Sequence, residues 1–137
     1  MKLEGKKILL VEDDNFIGDM FVRKLKAEGA LCTRAISGND GLKKLAIVNN
    51  DFDVIVTDVM MADMDGYEMV LKIKETEVAN MIPIVVLTNR TSLTEENARI
   101  ANLDIEAIYT KSDTSLSDLV TRLADIIQKH DISEIIQ

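Results

Sequence analysis

The sequence contains few of several residue types, and each shortage excludes a class of protein. A single cysteine, Cys32, excludes an intrachain disulfide, which favours a reducing, cytoplasmic setting and a buried structural thiol. No apolar run approaches the roughly 20 residues that a membrane-spanning helix needs, and residues 1–7 lack the apolar stretch of a signal peptide. Basic residues number 16 against 24 acidic ones, and the net charge of −8 argues against nucleic acid or membrane as a partner.

What the chain does contain suits one folded domain. Its 137 residues are 47% apolar and 29% charged, which allows a sizeable core under a normally charged surface. We predict a single domain over residues 1–137, with a core at about 6–129. Residues 130–137 form a tail that either extends the last helix, docks on a partner or frays.

Short apolar runs alternate with helical patterns along the chain. The predicted strands are Ile8–Val11, Ala30–Ala35, Val54–Thr57, Ile84–Leu87 and Ala107–Thr110. Apolar residues at helical spacing follow each strand, beginning at Phe16, Leu42, Tyr67, the short segment 94–98, and Leu116. The continuous apolarity of three strands is typical of a parallel sheet covered on both faces, and the two weaker strands favour an edge position for at least one. The order predicts a three-layer α/β fold with five parallel strands.

Polar side chains that could act together follow four of these strands. In an open parallel sheet, ligands bind at the carboxyl ends of the strands. The residues at these ends are Glu12, Asp13 and Asp14 after the first strand, Asp58 after the third, Thr88 after the fourth and Lys111 after the fifth. Asp14 also has the position of a helix N-cap, which is our preferred interpretation for that residue.

Carboxylates crowded at one edge of a sheet repel each other unless a cation neutralises them. Oxygen ligands with open positions suit Mg²⁺, which binds one or two carboxylates and retains several waters. A carboxylate beside Mg²⁺ and the Lys111 ammonium can attack phosphorus, while Thr88 donates to a phosphoryl oxygen. The set of residues, more than any one of them, predicts phosphoryl chemistry.

In these motifs the chain resembles the receiver domain of two-component response regulators, in particular the chemotaxis-regulator type. The resemblance covers essentially the whole chain and rests on the segments 8–14 (ILLVEDD), 58–66 (DVMMADMDG), 83–88 (PIVVLT) and 109–111 (YTK). It implies a three-layer (βα)5 flavodoxin-like fold with strand order 2-1-3-4-5. It also implies a signalling module whose only chemistry is its own phosphorylation and dephosphorylation.

The resemblance assigns a metal site to one group of residues. Glu12 and Asp13 match the acidic pair of the family, with Asp13 binding Mg²⁺ directly and Glu12 through water. Asp58 and the backbone carbonyl of Met60 complete the implied metal ligands. Mn²⁺ is expected to substitute for Mg²⁺.

The resemblance also implies the phosphoryl acceptor and its partners. Asp58 matches the phosphorylated aspartate, Thr88 the switch hydroxyl and Lys111 the lysine that bridges acid and phosphoryl group. The donor would be a histidine kinase or a histidine phosphotransfer protein. The signal would leave through the face formed by the fourth helix, fifth strand and fifth helix, toward a downstream protein or a second copy of the domain.

The sequence departs from the family pattern at three positions. Ala62 replaces a usual proline. Ile108 stands where the switch aromatic is usual, with Tyr109 one place later, so either the aromatic switch is absent or a register change restores it and flips the faces of the strand. Ser112 replaces the proline that gives a cis bond after the lysine. Because a non-proline cis bond costs about 2.5–4 kcal/mol, we predict that Lys111–Ser112 is trans.

Two further positions, Met60 and Arg90, correspond to side chains that tune phosphoryl lifetime in the family. Met60 cannot position an attacking water, and the long Arg90 could screen the phosphoryl group, so we predict slow self-dephosphorylation.

Other functions remain as alternatives to a phosphorylated receiver. The three departures favour a pseudo-receiver that binds partners without phosphorylation, whereas the intact acids, threonine and lysine oppose it. An FMN-binding flavodoxin needs a hydroxyl- and glycine-rich phosphate loop after the first strand, where residues 12–14 would repel phosphate. A phosphatase with an aspartyl nucleophile would carry that nucleophile on the first strand.

Overall fold

Five short strands form one parallel sheet in the computed structural model, which describes residues 1–58, 66–76, 81–88 and 104–136. The strands are β1 (Lys7–Val11), β2 (Leu31–Ala35), β3 (Val54–Thr57), β4 (Ile84–Thr88) and β5 (Ala107–Thr110). Their order is β2-β1-β3-β4-β5, and every neighbouring pair is parallel. The predicted flavodoxin-like sheet is therefore confirmed, and both weakly apolar strands lie at its edges.

The described part of the chain forms four α-helices. They are α1 (Asn15–Ala27), α2 (Gly38–Ile47), α3 (Gly66–Lys74) and α4 (Leu116–Ile136). The short helix predicted at 94–98 lies outside the described residues, so α4 is the helix counted as fifth in the sequence. It continues through most of the predicted tail. None of the described helices is long and apolar enough to cross a membrane.

Local side chains fix where the first two helices begin. The Asp14 side chain accepts a hydrogen bond from the Ile17 backbone N–H, which confirms Asp14 as the N-cap of α1. Ser37 caps α2 in the same way, accepting from the Asp40 backbone N–H. After α1 the chain reverses through Gly29 at φ +91°, a conformation that favours glycine.

Two apolar layers cover the sheet, one on each face. Alternate strand residues such as Leu10 and Val56 pack with α1 and α4, whereas Leu9 and Ile55 pack with α2 and α3. Strands β3 and β4 are buried along their whole length. Burial on both faces explains why these strands read as continuous apolar runs.

The register of the sheet brings the predicted functional residues to one edge. Val11 on β1 lies opposite Thr57 on β3, so Glu12 and Asp58 emerge side by side from adjacent strands. Thr88 on β4 lies opposite Thr110 on β5, immediately before Lys111. The described residues contain no cis peptide bond, so Lys111–Ser112 is trans as predicted, and residues 111–113 form a 3₁₀ turn.

Candidate functional site

Three acidic side chains meet at the carboxyl ends of β1 and β3. Each of Glu12, Asp13 and Asp58 offers a carboxylate oxygen within 4.8 Å of the others. Glu12 is buried, Asp58 is half-buried and Asp13 is exposed, so the cluster opens to solvent on the Asp13 side. An ion could therefore enter from solvent and meet two carboxylates that the fold holds in place.

Lys111 reaches this cluster from the end of β5. Its Nζ lies 2.5 Å from Oε1 of Glu12 and 2.8 Å from Oδ2 of Asp58. Burial works to lower the pKa of Lys111, but the hydrogen bonds to Asp58 and Glu12 outweigh it and the pKa is raised. Lys111 therefore stays charged and ties the two acids together.

The pKa of Glu12 is shifted by burial and by this crowding of acidic groups. Its side chain is 3% exposed, and burial raises its pKa above the usual value, with a further contribution from repulsion by Asp58. The ammonium of Lys111 and the backbone N–H of Asp14, which donates to Oε2, act in the opposite direction without cancelling the rise. One ammonium does not neutralise the acids.

The donor set fits a small divalent cation. All three side chains offer hard carboxylate oxygens, the ligand type that Mg²⁺ and Mn²⁺ prefer. Asp14 belongs to the helix cap, which leaves Glu12, Asp13 and Asp58 as the side chains that could hold the ion. Met60, whose backbone carbonyl was expected to complete the set, lies outside the described residues.

Thr57 and Thr88, which end β3 and β4, are both buried. Thr88 is 2% exposed at the end of β4, next to β5 and Lys111. Thr57 Oγ1 donates to the Asp58 carbonyl at 2.8 Å, and the Asp58 backbone N–H donates to the Val11 carbonyl at 3.1 Å. Asp58 is therefore fixed through its backbone before any ligand arrives.

The two candidate switch residues on β5 lie on opposite faces of the sheet. Ile108 is 37% exposed, whereas Tyr109 packs against the core on the α1 and α4 side. The Arg122 guanidinium carbon lies 4.9 Å from the centre of the Tyr109 ring. The Tyr109 ring therefore does not lie on the exposed face with Ile108. The lifetime position Arg90 and the departure at Ala62 lie outside the described residues.

Arg34 is a contributor to the site that the sequence analysis missed. It lies on the edge strand β2, and its Nη2 donates to the Glu12 carbonyl at 2.9 Å and to the Asp14 carbonyl at 3.2 Å. No strand-end motif marks this position. The one available signal is an arginine in an otherwise weakly polar strand, which does not indicate what it contacts.

The family follows from comparison with known proteins. A family model described as the response regulator receiver domain matches residues 8–124. The chain belongs to the response regulator receiver domain family. Members are signalling modules of two-component systems.

Individual relatives agree with this assignment. The chain is 30% identical over 128 residues to the uncharacterized transcriptional regulatory protein YbdJ of Bacillus subtilis (strain 168), covering 93% of this chain and 53% of YbdJ. It is 33% identical over 124 residues to the response regulator MprA of Mycobacterium sp. (strain KMS), covering 90% and 51%. The chain thus spans about half the length of these curated relatives.

A solved structure supports the fold independently. The crystal structure of a CheY-like response regulator receiver domain protein from Methanospirillum hungatei JF-1 matches with a TM-score of 0.83 at 25% identity. The match covers 95% of this chain and 99% of that one.

Proposed function

We propose that this domain accepts a phosphoryl group on Asp58 in a reaction that requires Mg²⁺ or Mn²⁺. The observation that carries the proposal is the convergence of Asp58 with two further carboxylates and with the Lys111 ammonium. Glu12 and Asp13 would hold the cation beside the acceptor, while Lys111 approaches from β5. This arrangement offers negative ligands for the metal and positive charge for a phosphoryl group.

The transfer forms one bond and breaks one. An Asp58 carboxylate oxygen attacks phosphorus, and the bond from phosphorus to the donor's histidine nitrogen breaks, leaving the electron pair on that nitrogen, which is protonated from solvent. A cation held by Glu12, Asp13 and Asp58 would supply positive charge that offsets the negative charge of the phosphoryl oxygens. Lys111 offsets the same charge, and the Thr88 hydroxyl donates to a phosphoryl oxygen. The donor is a histidine kinase or a histidine phosphotransfer protein.

An apolar surface beside the site suits such a donor. Phe16 is 80% exposed and Met20 is 40% exposed on α1, and with Leu116 of α4 they line a shallow groove. An adjoining hollow on the same side reaches Lys111 and Ser112. Exposed apolar patches of this kind mark protein contacts. We assign this surface to the phosphodonor.

The output surface is proposed to comprise the segment around the helix predicted at 94–98, together with β5 and α4. It would bind a downstream protein or a second copy. Phosphorylation would reach β5 through Thr88 and Lys111. Ile108 in place of an aromatic residue leaves no ring there to swing, so the signal would be carried by movement of the backbone of β5. Met60 and Arg90 favour slow loss of the phosphoryl group.

The decisive experiment measures incorporation of one phosphoryl group from acetyl phosphate by intact-protein mass spectrometry, with Mg²⁺ and with a chelator. We expect labelling of the wild type with Mg²⁺ only, and none of Asp58→Asn. Asp14→Asn is the matched control, since asparagine caps a helix as well as aspartate and labelling should persist. An unlabelled but folded wild type would favour the pseudo-receiver, and labelled Asp58→Asn would refute the acceptor assignment.

A further inference from the structure

The Arg34 guanidinium connects the edge strand β2 to the loop that follows β1. Its Nε and Nη2 both donate to the Glu12 carbonyl, at 3.3 and 2.9 Å. Nη2 also donates to the Asp14 carbonyl at 3.2 Å and to Oδ1 of Asn15 at 3.1 Å. Nη1 lies 3.7 Å from Oδ1 of Asp19 on α1. One planar side chain thus holds both ends of the segment that contains Asp13.

These contacts act on the backbone that carries the metal-binding carboxylates. Glu12 and Asp13 are consecutive, so the course of the backbone after β1 affects how both side chains meet Asp58. The Glu12 backbone N–H is already fixed by the Ala35 carbonyl at 3.0 Å. Arg34 fixes the carbonyl side of the same residue. The backbone that leads from Glu12 to Asp13 is thus held on both sides of Glu12.

Gly18 makes room for this arrangement. It is a buried residue inside α1, and a Cβ built there would overlap Nε and Cζ of Arg34. Glycine in a helix interior is otherwise less stable than alanine by roughly 0.5–1 kcal/mol. The absent side chain lets the guanidinium lie flat against the helix and reach the loop.

We infer that Arg34, seated on Gly18, is a positioning residue for the divalent-cation site of this domain. It touches neither the ion nor the phosphoryl group. It acts through the backbone of residues 12–14, as outer-shell groups do when they orient metal ligands. The inference depends on the proposed cation site.

Charge and geometry predict opposite effects when Arg34 is removed. Arg34 is a cation beside an acidic cluster, so by charge alone its loss should strengthen Mg²⁺ binding. If its role is to position the loop, its loss should weaken binding despite the more negative site. Arg34→Lys separates the two effects further, because it keeps the charge and loses the planar set of donors.

The first experiment measures the Mg²⁺ dissociation constant by calorimetry, without phosphodonor, at a temperature where circular dichroism shows each variant folded. We expect Arg34→Lys and Arg34→Ala to bind Mg²⁺ about tenfold more weakly than the wild type. Lys44→Met is the control for Arg34→Ala, since it also removes one positive charge, from a half-buried pair with Asp40. It should leave the constant unchanged or slightly lowered.

The second experiment displaces Arg34 without deleting it. In the wild-type background, Gly18→Ala should push the guanidinium away and weaken Mg²⁺ binding to the same degree. In the Arg34→Ala background, Gly18→Ala should change Mg²⁺ affinity no further and should stabilise α1. This non-additivity is a signature that a general loss of stability would not produce.

The outcomes distinguish this inference from the proposed function. A wild type that binds no Mg²⁺ would overturn the cation site and this inference together. A wild type that binds Mg²⁺, with Arg34→Lys unchanged and Arg34→Ala tighter, would overturn the positioning role alone. Additive effects of Gly18→Ala and Arg34→Ala would also overturn it.

Discussion

Substituting Lys111 with methionine tests how the acidic site is stabilised. The ammonium lies within hydrogen-bonding distance of both Glu12 and Asp58, and its side chain is 9% exposed. Methionine keeps much of the side-chain length and removes the charge. Two carboxylates then face each other with no cation between them, and the folded state should lose stability.

The size of this loss is limited by protonation of Glu12. Removing one partner of a buried ion pair costs roughly 3–5 kcal/mol when the other charge must remain. Glu12 can instead take up a proton, which at pH 7 costs at most about 3.4 kcal/mol for a carboxyl whose usual pKa is 4.5. Burial has already raised that pKa and reduced this cost. We expect the free energy of unfolding to fall by about 2 kcal/mol at pH 7.

The loss of folding stability in Lys111→Met should grow as the pH rises. The pKa of Glu12 is raised in the folded protein, so its protonation stabilises the fold fully below about pH 4.5, and this contribution is lost as pH rises through the folded pKa. Lys111→Met raises that pKa further, so the variant should approach the wild type near pH 5 and fall furthest below it near pH 8. The raised pKa of Lys111 places its own loss of charge above 10.5, outside this range.

Urea unfolding followed by circular dichroism at pH 5 and pH 8 measures both effects, since the chain has no tryptophan to report by fluorescence. Lys7→Met is the matched control: Lys7 also forms a 2.5 Å ion pair, with Asp51, but the two side chains are 44% and 65% exposed. That substitution should have little effect at either pH. A Lys111→Met variant no less stable than Lys7→Met, or equally destabilised at both pH values, would refute the reasoning.

Three further predictions concern the proposed reaction. Asp13→Asn should weaken Mg²⁺ binding about tenfold or more by calorimetry, because a neutral amide replaces a carboxylate in the cluster, and unchanged affinity would exclude Asp13 as a ligand. Met60→Asn should speed loss of the phosphoryl group, measured as decay of the phosphorylated species, because asparagine can orient water; an unchanged rate would count against Met60 as a lifetime position. Phe16→Ala should slow transfer from a phosphorylated kinase or phosphotransfer protein but not from acetyl phosphate, and equal slowing with both donors would contradict a docking role.

The fold was predictable from the sequence because its three central strands, β1, β3 and β4, are buried on both faces. Continuous apolar runs such as Ile84–Leu87 are too short for helices, and each is followed by a polar residue that marks the strand end. The N-cap role of Asp14 was predictable for a similar reason, since it depends only on the three residues that follow. Convergence of the strand-end residues then follows from parallel topology, which brings equivalent ends to one edge.

The face of Tyr109 could not be settled in the same way. Ile108 and Tyr109 are both apolar enough to face the core. Alternation along a strand places them on opposite faces of the sheet, but it does not say which of them faces the core. The pairing of Thr88 with Thr110 fixes the register, and Tyr109 then packs beside Arg122 on the α4 side. The face that Tyr109 occupies thus involves contacts with α4, a helix that follows later in the chain.

The contact between Arg34 and Gly18 is the clearest example of a feature that could not be predicted from the sequence. In the sequence alone, Gly18 is a residue that destabilises a helix, and Arg34 is an arginine expected to face solvent on an edge strand. Each explains the other only when β2 lies beside the start of α1 and the guanidinium occupies the space of the missing side chain. The convergence of the residues proposed for phosphoryl chemistry was predictable, because they end strands in a fixed pattern. The contact between Arg34 and Gly18 was not predictable, because it depends on complementary shapes that sequence spacing does not encode.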